Sequence, residues 1–227
     1  MKKTLYILVF FLITGFYFLF SSCDSLLSGK MDEGVLTYDI TYLEDEKQNP
    51  IITLLPTSMT YKFKENSYLQ KVEGWMGIFS MAGISNVENG THSALLKIMN
   101  EKYVYDGKSA FGYNEYLGME IEFVNETKMI AGFKCKKANI NFKDGEFENF
   151  SIYYTDEFKV TDPNFFNPFK TIPGVCMEYR YEMFGITTSL IATKFENIEV
   201  EDEDFIVPAG YNRVSKEEME EVINNLM

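Results

Sequence analysis

Histidine is nearly absent from this sequence: His92 is the single imidazole in 227 residues. A Ser-His-carboxylate hydrolase must bring that group to a nucleophile and an acid, yet no serine sits in a G-x-S-x-G elbow. His92 follows Asn89-Gly90, with Ser93 beside it. That place reads as the exposed flank of a hairpin, and no catalytic role is expected there. Cysteine is scarce as well. Cys23, Cys135 and Cys176 are too few for a disulfide scaffold, and none belongs to the C-x-x-C pair of a zinc site. Cys135 and Cys176 are a candidate disulfide. In a simple meander the strand near Tyr153 separates them, whereas a crossing connection would let their Cα atoms come within about 7 Å. An excess of positive charge is also missing. There are 34 acidic and 21 basic side chains and a net charge of −13, so no nucleic-acid partner is expected. What remains is 46% hydrophobic and 16% aromatic, a composition that can bury a core. The chain reads as a non-enzyme without cofactor or metal.

The N-terminus gives an address. Met1-Lys2-Lys3 precedes an uncharged run from Leu5 to Phe20, followed by Ser21-Ser22-Cys23. This is the layout of a secretory signal, and the run is short for a permanent span, which needs about 20 apolar residues. Small residues followed by Cys resemble a bacterial lipobox, with Phe20 where Leu is usual. The resemblance implies acylation of Cys23 and cleavage before it, so residues 1–22 are read as a lipoprotein signal peptide and 23–33 as a lipidated tether. Acyl chains contribute about 0.8 kcal/mol per buried CH₂, enough when multiplied to hold the chain on a membrane. The implied location is a bacterial envelope, facing the periplasm. Asp24 is an inner-membrane retention signal in some bacteria, but sorting rules differ between groups, and the outer membrane is the favoured address.

From residue 34 onward the pattern is that of strands. Leu36, Tyr38, Ile40 and Tyr42 alternate with polar residues, as do Met59, Tyr61 and Phe63, then Phe150, Ile152 and Tyr154, then Val175, Met177, Tyr179, Tyr181 and Met183. One apolar and one polar face per segment mark an antiparallel sheet with a wet side. Glu65-Asn66, Asn89-Gly90, Asp106-Gly107 and Asp144-Gly145 read as turns. About eleven strands are expected, nearer a curled or barrel-like sheet than a flat one. Residues 162–174 hold three of the six prolines and read as a long, ordered loop. One domain, 34–227, is expected.

The C-terminus predicts a helix. Ser215 and Glu218 have capping-box spacing, and Met219, Val222, Ile223 and Leu226 form a stripe. Such a stripe needs an apolar surface, and the inward face set by Tyr38, Tyr61, Tyr154 and Tyr179 is the expected target. Residues 75–84, from Trp75 to Ile84, carry no charge and do not alternate. Either they form a strand covered on both sides, or they meet an apolar ligand. Trp75, Met76, Phe79, Met81, Met219 and Ile223 are therefore the candidate ligand-binding residues. The acidic run Glu199, Glu201, Asp202, Glu203, Asp204 lacks the glycine of a calcium loop and reads as a solvated edge. Lys134, Lys136 and Lys137 make a basic spot that suits anionic head groups or a solvated strand equally.

Thr127-Lys128-Met129-Ile130-Ala131-Gly132-Phe133-Lys134-Cys135-Lys136-Lys137-Ala138 is the most distinctive run, followed by Tyr153-Tyr154-Thr155-Asp156, Asn167-Pro168-Phe169, Ile172-Pro173-Gly174-Val175 and Ala192-Thr193-Lys194. In this order they resemble a domain-of-unknown-function family of envelope lipoproteins related to the GLPGLI proteins. The resemblance implies a fold similar to the Lol-type lipoprotein carriers, an unclosed β-barrel with helix over its apolar concave face. It brings no catalytic residues. The expected function is non-catalytic binding or shuttling of an apolar ligand, a lipid, acyl group or lipoprotein. The alternative is an envelope structural or interaction module whose concavity is filled by its own side chains.

Overall fold

The computed structural model describes residues 30–47, 49–74, 77–107, 116, 118–143, 147–183 and 186–225. Cys23, Trp75, Met76, Asp144-Gly145 and Leu226 lie outside the described residues. The chain from Met31 to Met227 is one compact unit.

Six strands, β1 (Glu33–Tyr42), β2 (Ser58–Lys64), β3 (Ser67–Gly74), β4 (Phe79–Asn86), β5 (Thr91–Ile98) and β6 (Glu101–Gly107), form one meander. Five more, β7 (Met119–Ile130), β8 (Phe133–Phe142), β9 (Phe150–Thr155), β10 (Val175–Met183) and β11 (Ile186–Glu196), form a second. Pairing of β1 with β11 joins them into one sheet, and every pairing so far is antiparallel. A twelfth, two-residue strand, β12 (Asn212–Arg213), runs parallel on the free edge of β6. The sheet is mainly β, unclosed, and followed by one helix, α1 (Lys216–Asn224). The tether ends sooner than the sequence suggests, because Met31 is already bonded to the backbone of Glu157 and Lys159.

Alternation set the faces as expected. Leu36, Tyr38 and Ile40 of β1 stand opposite Tyr61, Met59 and, on β11, Ala192 and Leu190, and all are buried. The sheet curls toward this inner face. β8 and β11 are three positions apart, about 14 Å in a flat sheet, yet Phe133 and Phe195 have ring centroids 5.1 Å apart. Two expected turns behave differently from each other. Gly90 turns the β4–β5 hairpin with φ 60°, but Asp106-Gly107 lies inside β6. There Gly107 makes room for the Tyr105 ring, 2.6 Å from where a Cβ would stand.

The inner face is covered by two different pieces of chain. The segment between β9 and β10, residues 156–174, lies over its middle. It buries Phe158, Phe166, Phe169 and Ile172 in one core with Tyr38, Tyr61, Phe63 and Tyr179. Phe158 meets Phe63 at 5.0 Å and Phe133 at 4.6 Å. Asn164, 3% exposed, staples this segment, donating through Nδ2 to the carbonyls of Ile172 and Gly174 at 2.9 and 2.8 Å. Gly174 is required by close approach, since a Cβ would sit 2.3 Å from the Thr155 carbonyl oxygen.

The chain after β11 covers the rest. Phe205, Val207 and Tyr211 lie on the outer face over Leu69, Ile84, Leu95 and Val104. The chain then adds β12 to the edge, turns over it, and lays α1 on the inner face against Leu96. The predicted capping box is present: Ser215 Oγ accepts from the Glu218 N–H at 3.2 Å, and Glu218 Oε2 accepts from the Ser215 N–H at 2.8 Å. The helix thus sits on the expected face but not on the expected residues. The tyrosine-lined middle was already taken by residues 156–174, so Met219 and Ile223 dock beside Phe79, Met81, Ile98 and Tyr103 instead.

Candidate functional site: a groove beneath the C-terminal helix

β4 has no polar face because neither of its faces is wet. Phe79, Met81 and Gly83 point inward, level with Ile98, Leu96 and Ala94 of β5. Ala82 and Ile84 point outward, beneath Phe205, Val207 and Tyr211. Lack of alternation here is the mark of a doubly covered strand. Four of the six residues singled out from the sequence meet in one cluster: Phe79, Met81, Met219 and Ile223 pack around Leu96. Trp75 and Met76 lie outside the described residues.

Between α1 and the sheet remains a groove of about 80 Å³, with Met59, Val72, Met81, Leu96, Met219 and Ile223 among its walls. Three methionines stand among its walls, beside Gln70, Lys71 and Tyr181, and their unbranched thioethers adapt to irregular partners. Met59, Val72 and Leu96 were not singled out from the sequence. They stand level with Met81 only through the pairings Met59 to Val72, Val72 to Met81 and Met81 to Leu96, which the register alone discloses.

His92 lies at the end of this groove, and here the sequence reading is corrected. It is not on the surface but 7% exposed, on the inner face of β5. Its partner is not the adjacent Ser93, which donates to Asp106 on the outer face, but Ser85 across the hairpin, with Oγ 2.8 Å from Nδ1. Phe166 covers the ring at 5.0 Å. Burial pushes the imidazole down to about 4, so it is neutral near pH 7.

The other candidates resolve as structural pairs. The acidic run is the solvated edge that the sequence suggests, with Glu199, Glu201, Asp202 and Glu203 all exposed, and two of its carboxylates also tie it to the sheet. Asp204 accepts from Lys62 and Asp202 from Lys64, both at 2.7 Å, which pins the outer segment to β2. Among the described residues no cluster of His, Cys, Asp and Glu is placed to share a metal ion. The basic spot is largely neutralised. Lys136 pairs with Asp156 at 2.8 Å and Lys137 with Glu126 at 2.9 Å. Hydrogen bonds from Lys137 and Tyr153 hold the Glu126 carboxyl below its usual range. Lys136, Asp156 and Glu126 line a larger polar cleft of about 370 Å³ beside the bulge in β7, together with Lys134 and Glu157. Cys135 and Cys176 are both buried free thiols. Cys176 of β10 stands opposite Tyr154 of β9, and Tyr154 opposite Lys136 of β8. Two strand spacings amount to about 9–10 Å, beyond the reach of a disulfide at about 7 Å. Burial raises both thiols, Cys135 to about 12, which leaves them unreactive.

No known family's sequence model matches the chain, and no curated protein matches it. Among solved structures it is similar to a structure of PNGF-II, with a TM-score of 0.49 and 15% identity over 81% of this chain and 30% of that one. This chain spans less than a third of that protein's length.

Proposed function

We propose that this is a membrane-tethered envelope domain, of the kind its resemblance to the GLPGLI-related lipoproteins implies, that binds or shuttles an apolar ligand beneath α1 without catalysing a reaction. The observation that carries this reading is the convergence of Phe79, Met81, Met219 and Ile223 on one groove. Ligand pockets usually measure about 300–1,000 Å³, so a groove of about 80 Å³ receives an acyl chain only when the helix moves. The helix is suited to that. It has nine residues, too few to persist alone in water, and two fully buried side chains hold it.

Binding of a fluorescent fatty acid to the chain begun at Asp24 tests this. Ile223→Asp releases the helix and is expected to raise uptake and speed loss of the probe. A second reading, the structural or interaction module, is favoured by residues 156–174, which fill the middle of the inner face. On that reading Ile223→Asp lowers the melting temperature and leaves probe binding unchanged. Acylation of Cys23 is tested separately: Cys23→Ala is expected to abolish partition into detergent while the domain still folds.

A further inference from the structure

One row of residues crosses the inner face from β2 to β5, where Tyr61, Gln70, Gly83 and Ala94 stand directly opposite one another. The next row on that face is Met59, Val72, Met81 and Leu96. Large side chains in the second row, beside a hydrogen at Gly83 and a methyl at Ala94, leave the depression that the groove occupies. Gly83 also admits the His92 ring, whose Cε1 lies 3.0 Å from where a Cβ would stand. The floor of the groove therefore runs from α1 over Ala94 and Gly83 to Gln70.

At Gln70 the surroundings turn polar. This residue also lines a second, smaller cavity of about 10 Å³, with Tyr38, Tyr61, Asn164 and Asn167 among its other walls. Among the described residues those walls carry no formal charge. Tyr38 Oη is engaged, donating to the Cys176 carbonyl at 2.9 Å, and Asn167 Nδ2 donates to Asn164 Oδ1 at 2.9 Å. The Tyr61 hydroxyl is not: it is buried without a hydrogen-bond partner, on a side chain 2% exposed. Its ring is held between Tyr68, stacked at 5.7 Å, and Phe63 at 6.0 Å. Burial raises its pKa well above the ordinary range, so the phenol keeps its proton.

An unsatisfied buried donor is costly, so an occupant that brings an oxygen acceptor is favoured over one that does not. The space is about that of one water molecule, which admits a single oxygen. A charged head would be desolvated there with no opposite charge to offset it. A hydroxyl fits on both counts, because it accepts the phenol proton and can offer its own to the Gln70 amide oxygen.

We propose that the Tyr61 hydroxyl, with Gln70 beside it, receives the terminal hydroxyl of an uncharged lipid whose alkyl chain lies over Gly83 and Ala94, along Met81 and Met219. This rests on the reading of the groove as an apolar site and names the ligand class that the site takes, a long-chain alcohol rather than an ionised fatty acid. An ionised acid enters tail first and leaves its carboxylate at the open edge of the groove.

The full chain, labelled with ¹³C at tyrosine Cζ and at methionine methyls, is held in detergent micelles at pH 8 and titrated with 1-octanol, octane or octanoate. Tyr61→Phe identifies the Tyr61 resonance. The Met81 and Met219 methyls are expected to shift with all three probes, and Tyr61 Cζ with octanol alone. Tyr61→Phe is expected to weaken octanol about 2- to 10-fold, the worth of one hydrogen bond, and to leave octane unchanged. Methyl shifts without a Tyr61 shift, or a Tyr61 shift of equal size with octane, overturn the hydroxyl assignment and leave the apolar groove standing. A Tyr61 shift with octanoate as large as with octanol overturns the choice of an uncharged head. Methyls that respond to no probe overturn the groove and the assignment together.

Discussion

The two coverings of the inner face differ in how they are tied. Residues 156–174 enter from β9 and leave into β10, so both ends are fixed in the sheet. Their aromatic side chains interlock with rings from β2, β8 and β11, and Asn164 bonds the segment internally. The C-terminal segment leaves β11, crosses the outer face and is held at β6 by two residues of β12. Beyond that, α1 rests on two fully buried side chains. A piece closed at both ends can open only by disrupting the sheet's own core, whereas a piece tied at one end can peel away. Space follows the same division, with the groove beneath the terminal piece.

The sharpest way to break this contrast is to weaken the fixed piece. Phe169, 1% exposed, contacts Phe150 and Tyr179. Phe169→Ala is expected to cost about 3–5 kcal/mol, seen as a lower urea midpoint for the whole domain. Loss confined to residues 156–174 would mean that this segment is no firmer than the helix.

Acid should act at the boundary between the two. His92 touches the fixed segment through Phe166 and the groove through the edge beside Gly83. Its folded value of about 4 lies below the ordinary 6.5, so the unfolded chain binds the proton more readily. Stability contributed by the neutral ring is complete above about pH 6.5 and is lost as pH falls toward about 4, by roughly 3 kcal/mol over that window. Urea melts of wild type and His92→Phe across this range should differ in slope. Parallel curves would place the ring in water.

A smaller effect of opposite sign is expected at Tyr61. Its hydroxyl is buried without a hydrogen-bond partner, in the most tightly covered part of the face. Removing an unsatisfied hydroxyl restores part of its desolvation cost, so Tyr61→Phe should stabilise the domain by about 1 kcal/mol in thermal or urea melts. Destabilisation would show that the hydroxyl is satisfied in solution.

The strands were legible in the sequence because each needs only its own alternation, as at Leu36, Tyr38 and Ile40. The capping box and the Met219–Ile223 stripe were legible for the same local reason. What the sequence hid depends on register and on competition for surface. Asp106-Gly107 has turn chemistry, yet Asp106 pairs with Arg213 and Gly107 accommodates Tyr105, which keeps the strand running. Met99 and Ala131 turn hairpins with φ of 53° and 49°, where the turn signal lies only in the residue that follows each, Asn100 and Gly132. The docking face of α1 could not be read, because an aperiodic segment claimed the tyrosines first. The burial of His92 was hidden as well, since Ser85 becomes its neighbour only once β4 and β5 are paired.

Amide hydrogen exchange with and without 1-octanol compares the two coverings in one experiment. Residues 216–224 are expected to exchange well before β1, β2 and residues 156–174, and to gain protection when the alcohol is bound. Exchange of the helix together with the core strands, unchanged by the alcohol, would contradict a movable cover over a binding groove.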